Sequence, residues 1–207
     1  MAYRRTTKMA TRLAATRERI ADAALSLVAR GGYGAADVTA IAAEAGVSTG
    51  LLYRYFPSKA DLFDEVFQRA SQREIDACTA AASLPGNSRE RLARVVETFA
   101  RRALRGRRLA WALLAEPVDP LIEADRVRFR EPYRAIFAGI IRRGIESGEV
   151  APQDARTVAA GMVGAIAEAL LGPLSEPPHP DDEDTLIATV TRLCVQSLGQ
   201  KPESTIR

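Results

Sequence analysis

Apolar residues recur three and four positions apart along most of the chain, the period of a helix with one buried face. Ile20, Ala24, Leu27 and Val28 form such a stripe, and Gly31-Gly32 supplies a C-terminal stop. Asp37 is placed to cap a short helix over residues 38–45, with Val38, Ile41, Ala42 and Ala45 turned inward. Gly46-Val47-Ser48 reads as a turn, residues 49–56 as a second short helix, and Pro57 as its end. Ser58 and Asp61 have capping-box spacing at the head of a longer helix carrying Leu62, Val66 and Phe67.

Beyond Pro85-Gly86-Asn87, the series Leu92, Val95, Val96, Phe99, Ala103, Leu104 predicts another amphipathic helix, followed by a shorter one over 107–115 around Trp111. A long helix is expected from about 119 to 147, kinked at Pro132, and two apolar helices over 154–171 and 183–198 flank a proline-rich loop at 172–180. Alternating β-branched runs are scarce, while alanine, leucine and arginine dominate. The pattern predicts an all-α protein of about nine helices: an N-terminal three-helix domain over 1–57, with a basic arm, and a C-terminal helical domain over 58–207.

Charge divides the chain more sharply than its net +3 suggests. Residues 1–59 hold nine Lys/Arg against four Asp/Glu, whereas residues 150–199 hold two against seven. A basic head joined to an acidic tail suits a protein that meets a polyanion at one end. Two cysteines, Cys78 and Cys194, exclude a disulfide scaffold. One histidine, His179, with neither cysteine near it gives no recognisable zinc site and leaves Ser/His or Cys/His catalysis without its usual base. The acidic run 181–184 precedes a helix, lacks calcium-loop spacing, and reads as a solvated cap. The most apolar window, 158–174, carries Glu168 and three glycines and falls short of a membrane span. No cofactor, metal or membrane is expected, and the expected compartment is the cytoplasm.

The stretch from Asp37 to Asp61, DVTAIAAEAGVSTGLLYRYFPSKAD, carries the functional signal. Two short helices about a Gly46 turn have the sequence form of a helix-turn-helix. Leu52 and Phe56, four apart, pack inward, which leaves Ser48, Thr49, Gly50, Tyr53 and Tyr55 to face outward. Small residues at the helix start permit close approach to base edges, and hydroxyls can bond to phosphates or bases. Lys59 sits where its charge opposes the next helix's dipole, an arrangement that makes sense if a phosphate binds there.

The run from Arg19 to Leu62 resembles the DNA-binding domain of the TetR family of bacterial transcriptional regulators. The matching positions are Ile20, Ala23, Ala24, Leu27, Gly31, Val38, Ile41, Ala42, Ala45 to Ser48, Gly50, Leu52, Tyr53, Phe56, Lys59 and Leu62. The resemblance implies that Thr39 reaches phosphate or a base edge, that Thr49, Gly50 and Leu51 enter the major groove, and that Tyr53, Tyr55 and Lys59 clamp the backbone. Departures are mild. Asp37 stands where the family often has threonine, Val28 where it often has an aromatic, and Tyr55 where histidine is frequent. Arg4, Arg5, Lys8 and Arg12 of the arm are placed to add minor-groove or phosphate contacts.

One short helix reads only a few base pairs, so two heads on a two-fold axis are expected. The last two helices offer an apolar, self-complementary surface: Val158, Gly161, Met162, Ala165, Ile166 and Ala169 on one, and Leu186, Val190 and Leu193 on the other. The resemblance implies a homodimer through this region. It also implies a pocket for a small, apolar effector in the C-terminal domain. Candidate lining residues are Phe99, Trp111, Leu114, Tyr133, Phe137 and Met162, with Glu168, Glu116, Arg126 or Arg130 as polar anchors. The resulting expectation is a ligand-responsive repressor that binds a pseudo-palindromic operator as a dimer and is released by a small molecule. The alternative keeps the same DNA-binding head but replaces the effector with a protein partner.

Overall fold

The computed structural model describes residues 2–117, 123, 126–175 and 180–199, without the side chains of 2–8, 180 and 181. Described residues form nine helices and no strand. They are α1 (Ala2–Ala35), α2 (Val38–Ala45), α3 (Thr49–Tyr55), α4 (Lys59–Ser83), α5 (Ser88–Arg105), α6 (Arg107–Leu114), α7 (Arg130–Glu146), α8 (Ala155–Ser175) and α9 (Pro180–Gln196).

The first three helices are fixed by the local chemistry their sequence advertises. Asp37 accepts from Ala40 N at 2.8 Å to open α2, and Gly46 closes it at φ 64°, a left-handed position that glycine adopts without Cβ strain. Ser48 Oγ accepts from Leu51 N at 3.1 Å to open α3. Ser58 and Asp61 form the reciprocal capping box at α4, and Asn87 with Glu90 forms a second at α5. Beneath these caps Ile20, Ile41, Leu52, Phe56, Leu62 and Phe63 are sealed from solvent, each contributing about 1.5–3 kcal/mol of hydrophobic burial.

Two apolar cores share α4. Its first half, from Leu62 to Ala70, packs with α1–α3 and with Ala112 of α6, while Cys78 to Ala82 joins a C-terminal core with α5, α7, α8 and α9. Helix α6 packs against both α1 and α8, so it lies between the two cores. Ion pairs reinforce the α1–α4 joint. Arg69 donates to Glu18 at 2.7 and 2.9 Å and pairs with Glu65, which also pairs with Arg17.

Several helix boundaries differ from the periodicity. The backbone of the basic arm is helical from Ala2, because α1 continues through it; of its basic residues only Arg12 has a described side chain, and it is exposed. Pro132 does not kink a helix begun near 119. It occupies the first turn of α7, where a missing N–H costs little. Residue 119 lies outside the described residues, as does His179. Helix α8 runs past Gly172 to Ser175, giving up one backbone bond at Pro173 while Leu174 is buried in the core. At 21 residues, α8 is long and apolar enough to cross a membrane by length and composition, yet only 28% of its most apolar window is buried. The expectation that this segment falls short of a span is thereby corrected, since the continuation through Pro173 supplies the missing length. The acidic run is less solvated than expected: Glu183 pairs with Arg107 at 3.3 Å and Asp184 with Arg101 at 3.0 Å.

Candidate nucleic-acid interface and effector cavity

Helix α3 has seven residues and cannot build a core of its own. Leu52 is fully buried and Phe56 nearly so, and together they seat the helix on α1 and α4. That anchoring turns the opposite face outward. Ser48, Thr49 and Gly50 are exposed at its start, Tyr53 keeps 47% of its surface, and Arg54 is exposed in the last turn. A Cβ at Gly50 would meet nothing within 4 Å, so space to approach a ligand is open there. Leu51 is half-buried, and Tyr55 is half-buried against the head core. Thr39 is exposed in the first turn of α2, and Lys59 is exposed at the start of α4 with Nζ 5.1 Å from the Phe63 ring centroid. The Ser48 hydroxyl is engaged as the α3 cap, leaving its proton as the group it can offer outward.

Arg17 is the residue that sequence reasoning missed here. Its guanidinium stacks over Phe56 at 4.2 Å, donates to Tyr55 O at 2.9 Å and pairs with Glu65. It thereby fixes the C-terminal end of α3 against α1 and α4. In the sequence it looks like one more basic residue of the arm, because only the fold brings it to a segment 38 positions away.

A cavity of about 130 Å³ lies in the C-terminal region. Its walls come from α4, α5, α6, α7 and α8, and they are mostly apolar. Of the expected lining residues Phe99, Leu114, Tyr133 and Phe137 face it. Trp111, Met162 and Glu168 are not among its walls: Trp111 is half-buried in the adjacent core, Met162 is buried there, and Glu168 is exposed on α8. Arg126 and Arg130 line the cavity, whereas Glu116 does not. Residues that periodicity did not single out include Phe67, Leu109, Leu113 and Phe129. Each occupies a helical face indistinguishable by spacing from an ordinary core position.

Polar groups meet this apolar space in two places. Arg102 donates from two nitrogens to Glu74, at 2.6 and 2.8 Å, a paired and nearly neutral contact. Nearby, burial holds the Tyr133 hydroxyl protonated far above the usual tyrosine range, and burial pushes the Cys78 thiol up to about 12. Tyr133 packs edge-on to Phe99 with centroids 5.3 Å apart. Arg126, only 6% exposed, marks the second place, and its desolvation by burial lowers its pKa.

The expected dimer residues divide. Met162, Ile166 and Val190 are buried inside the single chain, because their sides of α8 and α9 fill the C-terminal core. Val158, Ala165, Ala169 and Leu186 are half-buried, while Gly161 is exposed and Leu193 keeps 54% of its surface. Gly161, Gly164, Glu168 and Gly172 recur at helical spacing along the exposed side of α8, and an added Cβ at any of these three glycines would meet nothing within 4 Å.

Comparison with known proteins places this architecture. The family of bacterial regulatory proteins described as the tetR family matches residues 20–66, and the tetracyclin repressor-like C-terminal domain matches residues 85–170. The chain is 46% identical over 72 residues to the HTH-type transcriptional repressor KstR of Mycolicibacterium smegmatis, covering 35% of each protein. That match, like those to the KstR proteins of Mycobacterium tuberculosis and Rhodococcus jostii, spans about a third of the relative's length. It is 30% identical over 134 residues to the fatty acid metabolism regulator protein of Bacillus subtilis, covering 63% of this chain and 69% of that one. The crystal structure of the transcriptional regulator FadR from Bacillus subtilis in complex with stearoyl-CoA superposes with a TM-score of 0.72 at 24% identity, over 88% of this chain and 97% of that one. FadR from Bacillus halodurans gives 0.71 at 23% identity, over 89% and 95%.

Proposed function

The chain belongs to the tetR family of bacterial regulatory proteins, and from that premise we propose that it is a dimeric, effector-responsive repressor of transcription. The observation that carries the reading is the division of α3, with Leu52 and Phe56 sealed beneath it and Thr49, Gly50 and Tyr53 held outward on a capped helix. Thr49, Gly50 and Leu51 read the major groove, with Thr39 and the Ser48 hydroxyl beside them. Tyr53, Tyr55 and Lys59 hold the flanking phosphates, and Arg17 keeps the reading helix at a fixed tilt. DNA recognition by a pair of heads requires a two-fold axis, and the exposed side of α8 with Leu193 of α9 is the apolar, close-approach surface that supplies it. An apolar helix left mostly uncovered in one chain is satisfied by a second copy, and a cytoplasmic dimer follows from that use of α8.

The cavity favours release by a small molecule over control by a protein partner, because an enclosed apolar space bordered by a few polar groups suits a ligand. The fatty acid regulator relatives support an effector with an aliphatic or alicyclic body. Footprinting the purified protein on DNA flanking its own gene tests the reading. Protection of a discrete inverted repeat by two protomers is the expected result. Tyr53→Ala should lose most of that affinity at an unchanged melting temperature. Uniform, sequence-independent protection would overturn the assignment of α3 as a reading helix.

A further inference from the structure

We propose that the cavity recognises an apolar molecule ending in a carboxylate, and that Arg126 reads that acid group and passes its arrival to the DNA-binding head. The inference builds on the effector reading above and adds the chemical class of the ligand and the residue that senses it.

Arg126 is a cation at the wall of an apolar cavity, with its guanidinium almost fully removed from water. Its partners do not exhaust it. Nη1 donates to Glu123 at 2.6 Å, Nη2 to the carbonyls of Glu116 and Ala112 at 2.7 and 3.2 Å, and Nε is buried without a hydrogen-bond partner among the described residues. A buried donor left unmade costs roughly 1–3 kcal/mol, more on a charged group, which a ligand acceptor would recover. Arg130 lines the same cavity and lies close enough that its charge opposes that of Arg126. The one carboxylate paired with Arg126, Glu123, is 54% exposed and therefore a solvent-weakened competitor. Two like charges drawn together beside apolar walls are satisfied by an anion, and a guanidinium fork fits a carboxylate in two parallel bonds. Away from this corner Glu74 already neutralises Arg102, so the acid end of a ligand has a single preferred direction. The volume, about 130 Å³, is close to that of a cavity that holds benzene, which sets a short body for a ligand entering without expansion.

Arg126 also grips the C-terminal end of α6, where cationic donors stabilise the last carbonyls. Glu116, whose carbonyl Arg126 holds, accepts with its carboxylate from Tyr33 N at 3.1 and 3.0 Å. Arg108 of α6 donates to Gly31 O at 2.9 Å. The last turn of α1 is thus clasped by the helix whose end Arg126 secures. Gly32, at φ 75°, is essential to the clasp, since a Cβ there would lie 2.2 Å from Arg108 Nη2. A carboxylate that turns the Arg126 fork toward the cavity withdraws its hold on α6 and loosens the seat of α1, and with it the tilt of the head.

The test is a matched set of probes, octanoate, octanol and octanoyl-CoA, titrated against the full chain and followed by the fluorescence of its single tryptophan, Trp111 in α6. Octanoate should bind about tenfold tighter than octanol or the thioester, a difference of about 1.4 kcal/mol, and should alone release operator DNA. Arg126→Gln should erase the preference for the acid while leaving octanol affinity within about twofold. Should Arg126→Gln melt α6, as circular dichroism would reveal, Arg130→Gln serves in its place, with octanoate weakened about threefold and octanol unchanged. Equal binding of acid and alcohol, binding of neither probe, tighter binding of the thioester, or an acid preference that survives substitution of both arginines would each overturn the proposal. Footprinting of the unliganded protein distinguishes this failure from a failure of the regulator reading, because it requires no effector.

Discussion

The head and the C-terminal region are built on opposite principles. Helices α2 and α3 open on side-chain caps, and the core beneath them is closed by large side chains with essentially no solvent exposure. The C-terminal core buries more residues but encloses a hole of about 130 Å³ with two arginines beside it. Filled packing fixes a surface in one geometry, which is what reading a duplex requires. An underfilled core keeps a second arrangement within reach, which is what a response to a ligand requires. Helix α6 belongs to both regions, with Ala112 in the head core and Leu109 and Leu113 on the cavity wall.

Substitutions that treat the two regions alike should therefore give unlike results. The largest effect is expected from Leu52→Ala, which opens a void under the reading helix. Chemical denaturation should show a loss of about 2–5 kcal/mol together with lost operator binding. A smaller contrast comes from adding volume. Ala42→Leu, at a site 2% exposed in the closed head core, should cost about 1–3 kcal/mol. Ala167→Leu on the cavity wall should change stability by less than about 1 kcal/mol and abolish effector binding as measured by Trp111 fluorescence. Equal destabilisation by the two would erase the distinction drawn here.

Lys59→Ala should leave the melting temperature nearly unchanged and reduce the slope of log affinity against log salt by about 0.9, the signature of one lost phosphate contact. The smallest effect concerns Cys78. Burial favours its neutral thiol in the folded protein, with the pKa raised from an ordinary 9.0 to about 12. The stability this contributes is complete below about pH 9 and is lost as pH rises toward 12, because the unfolded state then releases the proton first. Alkylation by iodoacetamide at pH 8, followed by mass spectrometry, should spare Cys78 in the native chain and modify it in denaturant.

Much of the head was legible because its determinants are local. Asp37, Gly46, Ser48 and the Ser58–Asp61 pair each act within four residues of their own position, so spacing alone identifies them. Leu52 and Phe56 could be assigned inward for the same reason, and Tyr53 outward. Arg17 could not be assigned, since its partners Tyr55, Phe56 and Glu65 lie at least 38 residues away and share no pattern with it. In the C-terminal region, helical periodicity separates inside from outside but cannot separate a filled inside from a hollow one. Phe137 and Met162 carry the same signal, yet one faces the cavity and the other fills the core. The dimer stripe shows the same limit: Ile166 and Gly161 sit on one apolar helix, and only packing against α7 and α9 decides which of them is covered within the chain.

By itself the sequence determined an all-helical chain, its stops and caps, and a short exposed helix with the chemistry to meet DNA, because these follow from interactions between near neighbours and from the burial of one helical face. The tertiary structure alone decided where five helices fail to fill the space between them, which arginine is stranded at that gap, and how α6 joins the gap to α1. Those features depend on distances between residues far apart in the chain, and no periodicity encodes such distances.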